Sequence, residues 1–384
     1  LFAGCVGDGS SETTPDSGDN ETTPPTETET TAEAGTTTTN ETYSVSMEPM
    51  GEVTFESVPE RWMAYFSNYG DMAIALGQLD GLQGLLFTEN WPLAFYEHLP
   101  DVNVSFDGVP QLMGENGLDK EVFYEINSDV HLMDPNFISL LADDWKPKDY
   151  EEIRNNVGPI VGNSIRRRNE DWHDYPYYSL YEAFEEIATV FQERERYEAL
   201  KGVHDELISD IQSRLPPKEE RPTVGLLSVN SNFEKGSFYA YPVHDGNGHK
   251  QYRDLRMRGA FDDVIEGSWG EWDYEQILEV DPDALVFQYG FSHVSTEAFE
   301  RRMDAMREDP VGKQLTAVRN DRLYRGGTSY QGPVINLFQT EAAAKQFYPE
   351  RFGEWKGLET LASEDERLFD YQRVADIING DLYR

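Results

Sequence analysis

The sequence FQERERYEALKGVHDELISDIQSRL, residues Phe191–Leu215, is free of proline and is followed at once by Pro216-Pro217. Its apolar residues recur in steps of three and four, at Leu200, Val203, Leu207, Ile211 and Leu215. That spacing places one apolar stripe on a helix of about 20–25 residues, which would be roughly 30–37 Å long. The helical pattern that begins at Leu180 loses phase at Arg194-Glu195. We therefore predict a break near Gln192 and a separate connecting helix after it.

The residues before this helix predict one α/β lobe. Tyr43–Phe55 alternates as a β-hairpin does, and Trp62–Phe66 is an apolar strand. We predict a polar loop at Ser67–Gly70, a helix over Asp71–Leu79 and a second strand over Leu82–Phe87. A strand, a helix and a strand at this spacing form a βαβ unit with a parallel pair.

The residues after the helix predict a second α/β lobe. Pro222–Val229 is an apolar run between turn signals and is typical of a parallel strand. A long loop over Asn230–His249 and a helix over Leu255–Phe261 are predicted next. Further strands are predicted at Ala284–Gln288 and Leu323–Arg325, the last followed by a glycine-rich loop and a helix.

The two lobes contain similar segments. DKEVFYEINSDVHL begins at Asp119, and DYEQILEVDPDALV begins at Asp273. In each, a short helix with an acidic first turn leads through an Asp-containing turn directly into a strand, and the alignment places Glu121 opposite Glu275. We predict an α/β fold with two Rossmann-like lobes joined by a single long helix. A ligand would then bind in the cleft between the lobes, at the carboxyl ends of the strands.

The predicted boundaries are a tether over 1–42, an N-terminal lobe over 43–191, a connecting helix over 192–216 and a C-terminal lobe over 217–384.

Asp and Glu number 72 against 32 Lys and Arg, which gives a formal net charge of −40. Such a chain lacks the basic face that nucleic acid requires. The excess acid extends along the whole length and is typical of a halophilic protein.

The N-terminal sequence Leu-Phe-Ala-Gly-Cys resembles the end of a lipoprotein signal, although a chance group of small residues would read the same. Cys5 is the lone cysteine, so an internal disulfide is excluded and lipid attachment is its predicted role. Residues 6–42 are rich in Thr, Glu, Pro and Ser and predict a solvated tether, with glycan acceptor patterns at Asn20 and Asn40. We predict a lipid-anchored protein on the extracellular face of the cell membrane.

The segment PERWMAYFSNYGDMAIALGQLDGLQGL, together with the two repeated segments, resembles the class III substrate-binding proteins of ABC importers. That family delivers iron–siderophore complexes and cobalamin. The resemblance implies a monomer that acts with a permease and an ATPase, has no catalytic residues and carries a ligand whose metal arrives already chelated. It also implies that Glu121 and Glu275 dock on the permease, although in so acidic a chain each could simply be a solvated glutamate. Ser128 departs from the proline usual in the first repeat.

Cleft residues are predicted from residue type and position. Arg166, Arg167 and Arg168 follow the presumed last strand of the first lobe and suit carboxylate or catecholate ligands, although a surface ion-pair cluster is the alternative. Aromatic residues on predicted strand-end loops would form the apolar walls. They are Tyr69, Trp91, Trp172, Tyr239, Tyr241, Trp269 and Tyr330.

Direct metal capture is disfavoured because the seven histidines are scattered along the sequence. His244 and His249 flank a Gly-Asn-Gly turn, but no further ligand pairs with them recognisably. Two other classes of protein remain as alternatives. One is a surface enzyme that acts on polysaccharide through a pair of carboxylates, and the other is an adhesion protein with a flat binding patch.

Overall fold

The computed structural model describes residues 42–114, 117–142, 145–168 and 170–382. Within the chain, Glu41–Arg384 forms one compact unit. Cys5, residues 6–41 of the predicted tether over 6–42, and the acceptor residues Asn20 and Asn40 lie outside the described residues. No helix in the described part of the chain combines the length and apolar character that a membrane crossing needs.

The elements up to the connecting helix alternate between short strands and helices. The strands are β1 (Tyr43–Met47), β2 (Gly51–Phe55), β3 (Trp62–Ala64), β4 (Leu82–Leu85), β5 (Met113–Gly114), β6 (Gly117–Leu118), β7 (Val130–Leu132) and β8 (Ile160–Val161). The helices are α1 (Ser67–Ala75), α2 (Lys120–Ile126), α3 (Pro135–Leu141), α4 (Pro147–Asn156), α5 (Leu180–Val190) and α6 (Arg194–Arg214).

The elements after α6 build the second half. The strands are β9 (Thr223–Ser228), β10 (Ser237–Tyr241), β11 (Arg258–Gly259), β12 (Gly270–Asp273), β13 (Ala284–Gln288) and β14 (Leu323–Arg325). The helices are α7 (Lys250–Asp254), α8 (Tyr274–Val280), α9 (Thr296–Glu308), α10 (Thr316–Arg319), α11 (Pro333–Phe347), α12 (Pro349–Phe352) and α13 (Tyr371–Asn379).

Two separate sheets confirm the predicted α/β architecture. The first has the order β4-β3-β7-β8, with all neighbours parallel. The second has the order β12-β10-β9-β13-β14, and β11 also pairs with β9. Its strands β9, β13 and β14 are parallel, whereas at one edge β10 pairs antiparallel with β9 and β12 pairs antiparallel with β10. We call the parts built on the two sheets the first lobe and the second lobe.

Helix α6 joins the two sheets in sequence and runs unbroken over its 21 residues. The predicted break between α5 and α6 is confirmed at Gln192, whose φ of 55° is left-handed and not helical. Of the predicted apolar stripe, Leu200, Val203, Leu207 and Ile211 are buried, whereas Leu215 is the C-cap and is half-buried. The stripe packs against α5, α11 and α13.

Helix α11 connects the lobes a second time. Every one of its residues is buried, because it packs on α1 of the first lobe and on α7 of the second. Apolar residues of the second sheet, including Leu226 and Val286, therefore share one continuous core with the first lobe. The opposite face of that sheet has its own core around Phe238 and Phe287. The lobes thus meet through a packed helix as well as through α6.

Several predicted elements were wrong in detail. Ser67–Gly70, predicted as a loop, is the first turn of α1. The predicted loop over Asn230–His249 contains β10, whose residues alternate between buried and exposed. Instead of a helix over Leu255–Phe261, the chain forms α7 earlier and then the short strand β11. The reason is that Arg258–Gly259 pairs with the start of β9, and this pairing outweighs local helix propensity.

The two repeated segments have the same local geometry. α2 ends at Asn127 and α8 ends at Asp281, both with a φ of 45°. Two residues later, Asp129 accepts the backbone N–H of Arg61 at 2.9 Å, and Asp283 accepts that of Thr223 at 2.8 Å. Each carboxylate therefore ties the start of its own strand to the start of the neighbouring strand.

Candidate ligand-binding site between the lobes

A pocket of about 160 Å³ lies at the carboxyl ends of strands from both sheets. The first lobe contributes residues that follow β3 and β4, and the second lobe contributes residues that follow β13 and β14. The lining residues are Phe66, Ser67, Phe87, Glu89, Asn90, Trp91, His293 and Tyr330. Since parallel strands present their carboxyl ends at one sheet edge, this position follows from the topology of both sheets.

An aromatic stack crosses between the lobes at this pocket. The rings of Phe66 and Tyr330 lie nearly parallel, with centroids 4.0 Å apart. Beside the stack, the Ser67 hydroxyl donates a hydrogen bond of 2.6 Å to the backbone carbonyl of Tyr330. Sites for drug-sized ligands occupy roughly 300–1,000 Å³, so a bulky ligand requires this stack to open.

Arg166 packs against the same stack. Its guanidinium carbon lies 5.2 Å from the ring centroid of Tyr330 and 5.7 Å from that of Phe137. One terminal nitrogen is 3.2 Å from a carboxylate oxygen of Glu170. The Nε of Arg166 is buried and has no hydrogen-bond partner among the described residues. A buried donor without an acceptor is unfavourable, so this nitrogen would gain from an oxygen-rich ligand.

Arg167 shares the same carboxylate. Its terminal nitrogen lies 3.6 Å from Glu170, and its guanidinium carbon lies 5.9 Å from the ring centroid of Tyr241. Burial, and then the positive charge of Arg166, lower the pKa of Arg167. Two arginines on one carboxylate leave an excess positive charge in a largely buried position, which an anionic ligand would neutralise.

A loop of the second lobe holds the backbone at these arginines. The N–H of Asn247 donates to the carbonyl of Ile165 at 2.8 Å, and that of Gly248 donates to the carbonyl of Arg166 at 2.9 Å. Gly246 has a φ of 102°, and a Cβ there would lie 2.6 Å from the Arg166 carbonyl oxygen. Glycine is therefore required for the two lobes to approach this closely.

The ionisable side chains nearby are shifted toward their neutral forms. Burial lowers the pKa of His293 to about 4, so its ring is neutral near pH 7. Burial likewise raises the pKa of Tyr241 to about 12. His293 and Tyr241 therefore add no charge to the site at neutral pH.

Six predicted site residues come together here. Trp172 joins the cluster because its Nε1 donates to Glu170 at 3.0 Å and its ring lies 5.7 Å from that of Phe137. Trp91 lines the pocket and donates from Nε1 to the carbonyl of Phe87 at 3.1 Å. The six are Trp91, Arg166, Arg167, Trp172, Tyr241 and Tyr330.

The other four predicted residues lie outside these contacts. Tyr69 is fully buried in α1, where its hydroxyl bonds the backbone N–H of Asn163 at 2.8 Å, so it packs inside the first lobe instead of lining a loop. Arg168 is exposed above the ring of Tyr177 at 5.9 Å. Tyr239 and Trp269 form an exposed edge-to-face pair on the second lobe, with centroids 5.5 Å apart.

Sequence reasoning missed several residues of the site. Phe66 and Phe87 are the last residues of the predicted strands Trp62–Phe66 and Leu82–Phe87, but β3 and β4 end earlier and leave both rings at the pocket. Tyr289 follows β13 directly, with a φ of 65°, and its hydroxyl is 2.7 Å from that of Ser329. A rule that flags the first aromatic residue after each strand would have found Phe87 and Tyr289, but after β3 it would have flagged Tyr65 instead of Phe66. No feature of the sequence distinguishes Glu170 from the other Asp and Glu residues of this acidic chain.

Glu121 and Glu275 occupy equivalent positions in the two lobes. Each is exposed and lies in the first turn of its helix, after the N-caps Asp119 and Asp273. Since each helix runs antiparallel to the strand that follows it, both N-termini lie at the carboxyl-end edges of the sheets. The two glutamates are therefore on the side of the molecule where the pocket lies.

Two α/β lobes, a connecting helix and a pocket at facing strand ends are the architecture of two-lobed binding proteins. Residues 148–330 match the family model described as periplasmic binding protein. The predicted resemblance to class III substrate-binding proteins is confirmed by this match and by the fold. The matched family consists of transport proteins that bind substrates, not of enzymes. None of the curated proteins searched matches the sequence.

Solved structures of binding proteins have the same fold. A periplasmic binding protein from Veillonella parvula superposes with a TM-score of 0.59 at 15% identity, covering 79% of this chain and 97% of that one. An ABC-type Fe3+-hydroxamate transport system protein from Saccharomonospora viridis gives 0.53 at 20% identity, covering 81% and 99%. An iron uptake ABC transporter substrate-binding protein from Streptococcus pneumoniae gives 0.50 at 14% identity, covering 79% and 97%.

Among the described residues, no three His, Cys, Asp or Glu side chains are grouped so that they could hold a metal ion. His244 and His249 stack with ring centroids 5.0 Å apart, but each is already hydrogen-bonded. The Nε2 of His244 is 2.5 Å from the carbonyl of Ser268, and the Nε2 of His249 is 3.0 Å from the Oε1 of Gln288. These rings therefore serve the structure of the loop.

Proposed function

We propose that this chain is the substrate-binding component of an ABC importer and that it captures an iron–siderophore or cobalamin-like complex between its lobes. The observation that carries the proposal is the site itself. Aromatic rings from both lobes and two arginines with one shared carboxylate converge at the carboxyl ends of both sheets. Such a site suits an organic chelate with negative charge, whose metal arrives already bound.

The aromatic groups and the arginines would have separate roles. The rings of Phe66, Trp91 and Tyr330 offer apolar surface to the organic part of a chelate. Arg166 and Arg167 offer planar donors to carboxylate, catecholate or hydroxamate oxygens. Selectivity would come from the shape and charge of the opened cleft, and no chemical step takes place on the protein.

Delivery would depend on the two exposed glutamates. In this proposal Glu121 and Glu275 meet basic pockets of a permease, one per lobe, and an ATPase drives release. Lipid attached to Cys5 would hold the protein at the extracellular face of the membrane. The protein would act as a monomer, as the family resemblance implies, with one glutamate of each lobe docked on the permease.

A fluorescence titration tests ligand capture. Ferric hydroxamate, catecholate and carboxylate siderophores and cobalamin are added separately to the purified protein in concentrated KCl, and tryptophan emission is followed. We expect saturable quenching by at least one ligand, because Trp91 and Trp172 lie at the site. Trp91→Phe should reduce the quenching amplitude, whereas Trp272→Phe, on β12 against Phe261, should leave the ligand-induced change intact.

A panel without any saturable response would contradict the proposal. Quenching that persists unchanged in Trp91→Phe would place the ligand elsewhere on the molecule. An affinity that is equal for metal-free and metal-loaded siderophore would contradict the part of the proposal that concerns a pre-chelated metal.

A further inference from the structure

A second cavity, of about 770 Å³, opens at the other end of the second sheet. Its walls include Pro222, Asp283 and Arg322, which immediately precede β9, β13 and β14. It therefore lies at the amino ends of these parallel strands, whereas the interlobe pocket lies at their carboxyl ends. The five or six residues of β9 and β13 separate the two by roughly 16–20 Å at about 3.3 Å per residue.

Four arginines line this cavity, and backbone carbonyls hold three of them. Arg221 donates from Nε to the carbonyl of Pro216 at 2.9 Å, and Arg258 donates to the carbonyl of Arg221 at 3.0 Å. Arg322 donates to the carbonyl of Phe347 at 3.4 Å. The fourth, Arg351, is exposed at the mouth. Carbonyl contacts fix the guanidinium groups without neutralising their charge.

These arginines lack ionic partners in a chain where carboxylates outnumber cations by 72 to 32. Among the described residues, none of the four has a carboxylate oxygen within 4.0 Å. Elsewhere arginines readily find one, as in the pairs Arg61–Asp129 at 2.6 Å and Arg373–Glu206 at 2.8 Å. The fold therefore gathers around one cavity four arginines that form no ion pair within the described part of the chain.

The carboxylates around the cavity lie mainly at its rim. Glu219, Glu220, Asp321 and Glu350 are exposed. Asp283 is half-buried and uses one oxygen to accept both the N–H and the hydroxyl of Thr223 at 2.8 Å. Rim carboxylates repel an anion, so a ligand must be small enough to contact the arginine wall without approaching the rim. Exposed charges are also screened by salt more than half-buried ones.

We propose that this cavity binds a compact divalent oxyanion, phosphate or sulfate, either free or as the end group of a small organic molecule. Each free guanidinium edge can donate two parallel hydrogen bonds to such an oxyanion. The half-buried guanidinium groups of Arg221, Arg258 and Arg322 form the contact surface. This site is independent of the interlobe pocket and does not depend on the nature of the importer ligand.

Calorimetric titration of the full chain tests the proposal, with inorganic phosphate, sulfate and O-phosphoserine as separate probes. We expect saturable binding of at least one probe, and the comparison of phosphate with O-phosphoserine distinguishes a free ion from an end group. The double variant Arg258→Gln/Arg322→Gln should weaken binding at least tenfold. Arg154→Gln, which removes an exposed arginine on α4 of the first lobe, is the matched control and should bind as the wild type does.

Two further variants keep the test decisive if the double variant folds poorly. Arg351→Gln should weaken binding several-fold, because it removes a positive charge at the mouth of the cavity. It should not disturb folding, because the Arg351 side chain makes no hydrogen bond among the described residues. Glu350→Gln should strengthen binding, because it removes a repelling charge at the rim. Unchanged affinity in both variants, or no saturable binding of any of the three anions, would overturn the proposal.

Discussion

At the residue scale, the capacity of the interlobe site to bind an anion depends on how few carboxylates pair with its arginines. Arg166 and Arg167 share Glu170 at 3.2 and 3.6 Å, and the Nε of Arg166 is left without a partner. Arg168, the next residue, is exposed and lies over a tyrosine ring. Three consecutive arginines therefore have different environments, and burial decides which can contribute to binding an anion.

The pair Arg167→Gln and Arg168→Gln tests this difference. Removal of the Arg167 charge should weaken binding of an anionic ferric chelate by about 10- to 100-fold, since hydrogen bonds to charged groups contribute about 1.5–3 kcal/mol. The Arg168 substitution should change affinity less than about threefold, because exposed charges contribute little. Both are measured by tryptophan quenching. Equal losses in the two variants would show that the arginines act only through long-range attraction.

Asp71 is the second residue with an unusual environment. It lies in α1 of the first lobe, fully buried, and accepts hydrogen bonds from the backbone N–H of Ile335 at 3.0 Å and from the Tyr96 hydroxyl. It thus binds the N-terminal turn of α11. Burial raises the pKa of Asp71 to about 7, although these hydrogen bonds oppose the shift.

This shift predicts a pH dependence of stability. A carboxyl whose folded-state pKa is raised stabilises the fold below its unfolded pKa, and the contribution is lost as the pH rises through about 7. The wild type should therefore lose about 2–3 kcal/mol between pH 5 and pH 8 relative to Asp71→Asn, which cannot ionise. Urea unfolding of both proteins across this range measures the difference. Parallel pH profiles would contradict the prediction.

At the element scale, α6 owes its stability to its buried stripe. The helix has a polar surface on its other side, with Lys201 paired to Asp205 one turn later. Since isolated helices are marginal in water, packing of the stripe on α5, α11 and α13 keeps α6 continuous.

Two substitutions in α6 separate packing from surface charge. Leu207→Ala should reduce the free energy of unfolding by about 2–4 kcal/mol, because Leu207 is 2% exposed and its loss leaves a cavity. Lys201→Ala should cost less than about 1 kcal/mol, because the pair that it breaks is exposed. Denaturant unfolding monitored by circular dichroism gives both values. If Lys201→Ala reduced the free energy of unfolding as much as Leu207→Ala does, the buried stripe would not be the main source of the stability of α6.

The elements that could be predicted from the sequence are those whose pattern is local. The connecting helix, the two repeated helix–strand segments and the strand Ala284–Gln288 were predicted within a residue or two, because apolar periodicity and Asp-containing turns specify them. The strand β10 was missed, because most of its pairing is with β12, which lies further along the chain. Its aromatic residues were interpreted as loop residues for the same reason.

At the scale of the whole molecule, the net charge of −40 opposes folding through self-repulsion. The Debye length falls from about 10 Å at 0.1 M salt to about 3 Å at 1 M. We therefore expect the melting temperature to rise between 0.1 and 2 M KCl. Thermal unfolding in parallel KCl and NaCl series measures this, and screening predicts the same trend in both. A melting temperature that falls with salt would contradict the halophilic interpretation.

The two exposed glutamates also belong to this scale, because they lie in separate lobes. Glu121→Gln/Glu275→Gln should leave ligand affinity unchanged, since neither residue lines the pocket, and should lower uptake at least tenfold in cells that have the permease. Glu125→Gln/Glu279→Gln, at exposed positions on the same two helices, is the matched control. Equal uptake by both double variants would exclude a docking role for Glu121 and Glu275.

The sequence by itself determined the two α/β lobes, the helix between them and the equivalence of the repeated segments, because each depends on short-range periodicity and turn chemistry. It also placed arginines and aromatic residues after strands. Only the tertiary structure decided that Arg166 and Arg167 share Glu170, that Phe66 stacks on Tyr330 and that Tyr69 is buried. It also decided that α11 joins the lobes a second time. Glu170 is close to Arg166 and Arg167 in sequence, but the other contacts join residues far apart in the chain, and packing of the two lobes around α11 sets the distances between them.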